Sequence, residues 1–181
     1  MTQGTFIVVG GPAGTGKTTI SEMLSKQLRC PFIEGDNLHP EENIAKMSRG
    51  EALTDRDRWG WLAEISRVTS DECLDERNET HVAVVSCSML KASYRKYLKQ
   101  HSHGSLKFRF IFLYTTFEEL YKRVGQRNGH FMKNDMVKSQ YDIMEIPRRG
   151  ELVENHGDCL AIDTTGKDPQ AIFKEILMKL S

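Results

Sequence analysis

No stretch of the sequence is apolar for the length needed to span a bilayer, and no N-terminal apolar segment has the form of a secretory leader. A membrane partner is therefore not expected, and the chain reads as cytoplasmic. An excess of charge of either sign is also absent: 25 Lys and Arg stand against 25 Asp and Glu, for a formal net charge of zero. Such a balance makes no long-range field to gather nucleic acid, so the expected partner is a small molecule. Cysteines are few. Cys30, Cys73, Cys87 and Cys159 show no C-x-x-C spacing, which gives neither a zinc signature nor a disulfide framework and fits reduced thiols in a cytosolic protein. His101 and His103 form an H-x-H, but no cysteine or acid is near them in sequence, so a solvated loop is a simpler reading than half a metal site. Repeats, linkers and low-complexity segments are missing too. A chain of 181 residues suits one domain, spanning residues 1–181, with a core of its own.

What the sequence does contain is GGPAGTGKTT, Gly10 to Thr19. Gly11 to Thr18 matches the phosphate-binding pattern of a glycine, four residues, then G-K-[ST]. The context agrees on both sides. Thr5 to Val9 is a β-branched and aromatic run of the kind a buried parallel strand shows. Ile20, Met23, Leu24 and Leu28 then fall on one helical face. Strand, loop and helix together make a cradle from Gly11, Pro12, Ala13, Gly14, Thr15, Gly16 and Thr19, whose glycines let the loop turn its backbone N–H groups inward on a polyphosphate. Lys17 supplies a full positive charge, and Thr18 sets a hydroxyl on Mg²⁺.

Apolar runs recur at Phe6 to Val9, Pro31 to Ile33, Val82 to Val85, Phe108 to Tyr114 and Leu160 to Ile162. Between and beyond them lie helical patterns at Lys17 to Leu28, Pro40 to Ser48, Arg56 to Leu74, Lys91 to Gln100, Phe117 to Gln126, Asp135 to Met144 and Pro169 to Leu180. The alternation predicts an α/β fold in which a parallel sheet is covered on both faces.

The kind of phosphate chemistry is narrowed by absences. A guanine-reading N-K-x-D is missing, and Asp57-Arg58-Trp59-Gly60, although it fits D-x-x-G, follows charged residues rather than an apolar strand. The acids that matter stand instead after the second strand, where Glu34 and Asp36 straddle Gly35. By the strand-end rule for open α/β sheets this turn lies beside the phosphate loop. An acid there can bind Mg²⁺ through water or accept a proton from an attacking hydroxyl; alternatively the turn only caps the next helix. Arg58 can pair with a substrate carboxylate or belong to a salt-bridged surface. Ser88 ends the third strand and can hydrogen-bond hydroxyls, and Lys91 and Arg95 share a helix face. Arg123 and Arg127, one turn apart, either fold over a triphosphate or complement a helix dipole.

Three segments carry a resemblance. GDNLHPEENIAKMSRGEALTDRDRWGWL (Gly35 to Leu62), CSMLKASYRKYL (Cys87 to Leu98) and GHFMKNDMVKSQYDIMEIP (Gly129 to Pro147) are similar to the substrate-side, strand-end and lid blocks of the gluconokinase family. The likeness runs from about Gly10 to Pro147; Met89 stands where the family often has Ala, and Glu34 where bacterial members more often have Asp. It implies a P-loop fold like that of shikimate and nucleoside monophosphate kinases. That fold has a five-stranded parallel sheet, a helical substrate arm at about residues 36–75 and a mobile lid at about residues 123–134. It also implies transfer of phosphate from ATP, with Mg²⁺, to D-gluconate. Lys17, Asp36 and Arg127 are the implied catalytic residues, with Asp36 as base. Gly14, Gly16, Lys17, Thr18 and Thr19 would hold phosphates and metal, with Glu34 a second metal candidate. Asp36, His39, Arg58, Ser88, Arg95 and Gln140 would line the sugar-acid pocket, and Arg123 would act in the lid region. A homodimer is kept open. The alternatives are a related kinase for shikimate, adenylyl sulfate or a nucleoside monophosphate, a non-catalytic nucleotide-binding module, and a nucleic-acid kinase. The arm containing His39 and Asn43, the presence of Lys17 and Asp36, and the charge balance argue against each in turn.

Overall fold

The computed structural model describes residues 3–125 and 134–180, with the backbone only at Asn134 and Asp135. Strands β1 (Gly4–Gly10), β2 (Phe32–Glu34), β3 (Val82–Ser86), β4 (Leu106–Tyr114) and β5 (Cys159–Asp163) form one sheet in the order β2-β3-β1-β4-β5. Every pairing is parallel. The helices are α1 (Lys17–Leu28), α2 (Glu41–Ser48), α3 (Asp55–Leu74), α4 (Ala92–Gln100), α5 (Phe117–Gly125), α6 (Asn134–Ile143) and α7 (Pro169–Leu180). All five expected strands and seven expected helices are present, with ends displaced by one or two residues. Three short 3₁₀ turns, at Gly35–Leu38, Arg149–Glu151 and Val153–Asn155, were not anticipated.

The period of two along β1 divides the core. Phe6 and Val8 face a layer made by α3 and α4, through Leu62, Ile65 and Leu98, whereas Ile7 and Val9 face Ile20 and Leu24 of α1 and Ile172 and Ile176 of α7. Because both faces are covered, the central strands are apolar without alternation. A smaller cluster of Leu120, Val124 and Val137 joins α5 to α6. Burial pushes the thiols of Cys73, Cys87 and Cys159 up to about 12, so they stay protonated and unreactive.

Helix α3 has an ordered start. Thr54 Oγ1 accepts from the Asp57 N–H at 3.2 Å, and Asp57 Oδ2 accepts from the Thr54 N–H at 2.8 Å, a reciprocal cap that satisfies two exposed donors. Asp57 also accepts from Lys46 Nζ at 2.7 Å, which ties α2 to α3. These bonds hold its carboxyl down to about 2, with Lys46 the leading cause. The D-x-x-G match at Asp57 is thus the first turn of a capped helix.

Candidate active site

The carboxyl ends of β1, β2 and β3 meet at the phosphate loop. Gly11 has φ of 125°, and a Cβ there would lie 2.0 Å from the Leu113 carbonyl oxygen at the end of β4, so only glycine fits. Its N–H donates to Ser88 O at 3.0 Å. Inside the loop, Thr15 Oγ1 donates to Pro12 O at 2.8 Å, and Lys17 Nζ donates to Gly11 O at 2.9 Å. The first turn of α1 carries no acid of its own, and the positive end of its dipole is turned to the loop.

Glu34 bridges this loop to β3. One carboxylate oxygen accepts from Thr18 Oγ1 at 2.7 Å and the other from Ser86 Oγ at 2.5 Å. Next to it Gly35 lies so close to β3 that a Cβ would come 2.1 Å from Ser86 O, which brings the following turn over the sheet edge. Asp36 and His39 are carried on that turn.

Beside the loop is a cavity of about 400 Å³, in the range of small-molecule sites. Lys17, Asp36, His39, Arg58, Ser88 and Gln140 are among its polar lining, with Ser48, and Ile44, Met47, Leu53, Trp61 and Met136 are among its apolar wall. Five of the six residues expected around the sugar acid are therefore brought together, from the β2 turn, α3, the end of β3 and α6. Arg58 is buried, with Nη1 donating to Tyr94 Oη at 2.7 Å; Tyr94 Oη in turn donates to Asp55, which also pairs with Lys91 at 3.0 Å. Gln140 accepts from the Ala13 N–H at 2.9 Å, so α6 touches the phosphate loop itself. His39 stacks on Trp61 with ring centroids 4.0 Å apart, and burial pushes its imidazole down to about 4.

Arg95 is the exception. It points away from this cavity and is only 2% exposed. Its guanidinium donates to Met89 O at 3.0 Å, Glu145 O at 2.9 Å and both carboxylate oxygens of Glu151 at 2.9 and 3.2 Å. The placement in the sugar-acid pocket is corrected accordingly: Arg95 fastens the strand-end loop and the segment after α6 to α4. Helical spacing had put it on one face with Lys91, but Lys91 caps α4 and turns to Asp55.

Arg123 is placed at the opposite side of the loop. It donates to Gly14 O and Thr164 Oγ1 at 3.2 Å, to Thr164 O at 3.3 Å and to Glu119 at 3.0 Å. An open cleft of about 650 Å³ lies here, between the loop, Arg123 and the Gly166–Pro169 turn after β5. The sequence reading missed that turn as a site element. The strand-end rule that found Asp36 would have found it at β5 as well. Arg127 and most of the expected lid, residues 126–133, lie outside the described residues.

The family profile described as Shikimate kinase matches residues 13–181. The gluconokinase of Gluconobacter oxydans is 38% identical over 173 residues, covering 95% of this chain and 89% of the relative. The chain belongs to the gluconokinase family. The thermosensitive gluconokinase of Escherichia coli is 38% identical over 148 residues, 82% of this chain and 75% of its own. Among solved structures, a gluconokinase from Sinorhizobium meliloti 1021 superposes with a TM-score of 0.79 at 40% identity, covering 98% of this chain and 91% of that one. A shikimate kinase from Acinetobacter baumannii, at TM-score 0.57, 18% identity and coverage of 99% and 93%, shares the fold alone. No helix among the described residues is long and apolar enough to cross a membrane.

Two expectations follow for solution. Replacing Arg95 with Met leaves the buried Met89 carbonyl, the part-buried Glu145 carbonyl and Glu151 without their donor, which should cost on the order of 3 kcal/mol. Urea denaturation should show that loss, and the gluconate KM of the folded fraction should change far less than the stability. Because His39 titrates near 4 in the folded chain against 6.5 when unperturbed, the unfolded chain binds the extra proton between those values. Stability should therefore fall as pH drops from about 6.5 towards 4, and a melting-temperature series over that range should be flatter for His39→Gln.

Proposed function

We propose that the chain transfers the γ-phosphoryl group of ATP to the 6-hydroxyl of D-gluconate, giving ADP and 6-phospho-D-gluconate. The observation that carries the reading is the shared lining: Lys17 of the phosphate loop, Asp36 and buried Arg58 face one cavity. A donor phosphate and an anionic, hydroxylated acceptor can thus meet there. Membership of the gluconokinase family supports the same choice of acceptor.

In this reading the base and ribose of ATP occupy the cleft between Arg123 and the Gly166–Pro169 turn, and the phosphates lie in the loop. The oxygens of Thr18 and Glu34 fit Mg²⁺, a hard cation that takes one or two carboxylates and completes its shell with phosphates and water. Among the described residues no group of three His, Cys, Asp or Glu could hold a metal without such help. Thr18 and Glu34 would hold the ion, which would supply positive charge against the phosphates during transfer.

Arg58 would hold the gluconate carboxylate through N–H groups on its cavity side, because Tyr94 takes Nη1 and fixes the plane of the guanidinium. Ser88, His39 and Gln140 would meet hydroxyls. Asp36 would orient the 6-hydroxyl and take its proton as the oxygen–phosphorus bond forms and the bond to the ADP oxygen breaks. Lys17 would stabilise the charge on the β- and γ-phosphates. Arg123, anchored to Gly14 O, would hold the loop's far side, and Arg127 is proposed on the family resemblance alone to bring charge over the transferred group.

The test is ADP release measured with gluconate, shikimate, adenylyl sulfate and nucleoside monophosphates in turn. Gluconate should be preferred, and the other acceptors should stay near background; turnover of shikimate or adenylyl sulfate above that of gluconate would overturn the reading. On the same assay Asp36→Asn should lower kcat by roughly 10²-fold to 10⁴-fold with gluconate binding little changed. A loss below threefold would assign the proton to another group.

A further inference from the structure

The cavity contains one imidazole, and the orientation of its proton can be deduced. The ring of His39 lies nearly parallel to Trp61, at 13°, and Trp61 is itself pinned by donation from Nε1 to Gly35 O at 2.8 Å. The imidazole plane is thereby set. Its Nδ1 is 3.2 Å from Nδ2 of Asn43, a residue only 4% exposed. The same Nδ2 donates to Asp57 O at 2.9 Å. A main-chain carbonyl only accepts, so the end of the Asn43 carboxamide between these partners is its NH₂ group. That group has two protons. One goes to Asp57 O and the other is directed at Nδ1, which must then offer its lone pair. In a neutral imidazole the ring proton is left on Nε2 of this cavity-lining residue.

We propose that Asn43 is a positioning residue that fixes His39 as the neutral Nε2–H tautomer, giving the cavity one hydrogen-bond donor of set direction for an oxygen of the sugar acid. The substrate half of this statement rests on the gluconate reading of the cavity; the tautomer half does not. A donor that keeps one tautomer selects acceptors at a single place on the ligand, and it needs no reorganisation when the ligand arrives. The charged groups around the ring are Asp36 on the same turn and Arg58 from α3, which oppose each other, with Lys17 from α1 elsewhere on the cavity wall. Neither Met136 nor Gln140, the α6 residues lining the cavity, titrates. Burial outweighs Asp36 and keeps the ring neutral through the physiological range.

Asn43 also links α2 to α3 through Asp57 O, so loss of activity on substitution would not by itself separate positioning from structure. The discriminating readout is the protonation of each ring nitrogen, obtained from long-range ¹H–¹⁵N correlation spectra of the ligand-free protein between pH 5.5 and 8, with the His39 signals assigned by their loss in His39→Gln. The expected wild-type spectrum has a bare Nδ1 and a protonated Nε2 throughout. In Asn43→Asp the new carboxylate can only accept, so Nδ1 should become protonated, and the gluconate KM should rise roughly tenfold, the size of one lost hydrogen bond. The ATP KM should stay within about twofold of wild type, since the phosphate loop is untouched. His39→Gln, whose amide nitrogen falls near Nε2, should keep more gluconate affinity than His39→Asn, whose nitrogen falls near Nδ1.

A protonated Nδ1 in the wild-type protein would overturn the assignment, and that spectrum decides it even if Asn43→Asp fails to fold. A variant that changes tautomer with the gluconate KM unaltered would remove the role in substrate binding. Because the spectra need no substrate, a protein with the expected tautomer that fails to turn over gluconate would lose the functional reading and retain this one.

Discussion

The position of Gly11 is the constraint on which the rest of the site depends. Its N–H is bonded to Ser88 O beyond β3, and the space a side chain would need is filled by Leu113 O of β4. The central strand and its two neighbours therefore end against one backbone atom group. This locks the phosphate loop to Ser88, a wall of the neighbouring cavity, instead of leaving it as an independent turn. Glu34 extends the lock one strand further, reaching Thr18 on one side and Ser86 on the other. The phosphate loop and the cavity beside it are consequently built on the same strand ends, and small errors of placement, which are costly when two reactants must be aligned, are limited by the sheet.

Around that frame the polar side chains fall into two kinds. Arg95 and Arg123 spend their N–H groups on carbonyls and carboxylates of the chain: Arg95 joins α4 to the segment after α6, and Arg123 joins α5 to the loop and to Thr164. Arg58 and His39 are instead held by one edge and face the cavity with the other, Arg58 through Tyr94 and His39 through Trp61 and Asn43. Arginine suits both tasks because its planar fork can be fixed at one nitrogen and still present others.

Much of this was legible in the sequence, and for identifiable reasons. The phosphate loop is a local signal, with strand, glycines, Lys17 and amphipathic α1 contiguous in the chain. The strands could be read because both faces of the sheet are covered and the runs are uniformly apolar. Asp36 followed from the strand-end rule. His39 and Gln140 came from family resemblance, since a lone imidazole or amide on a helical segment carries no signature of its own. Arg95 came to the pocket by family resemblance too, and spacing along α4 gives a face but not its neighbour; its partners Glu145 and Glu151 lie about fifty residues away. The Asn43 contact was hidden for a similar reason, as only the approach of α2 to α3 brings Asp57 O and His39 to one amide.

The central claim is that the cavity beside the phosphate loop recognises a carboxylate through the guanidinium of Arg58. Its most direct measurement is the paired titration of gluconate and ATP against Arg58→Lys, by steady-state kinetics and by calorimetry. Lysine keeps the charge and loses the planar two-point contact, so the gluconate KM and Kd should rise by roughly tenfold or more while those of ATP stay within about twofold. Equal losses for both ligands, or an unchanged gluconate affinity, would contradict the account.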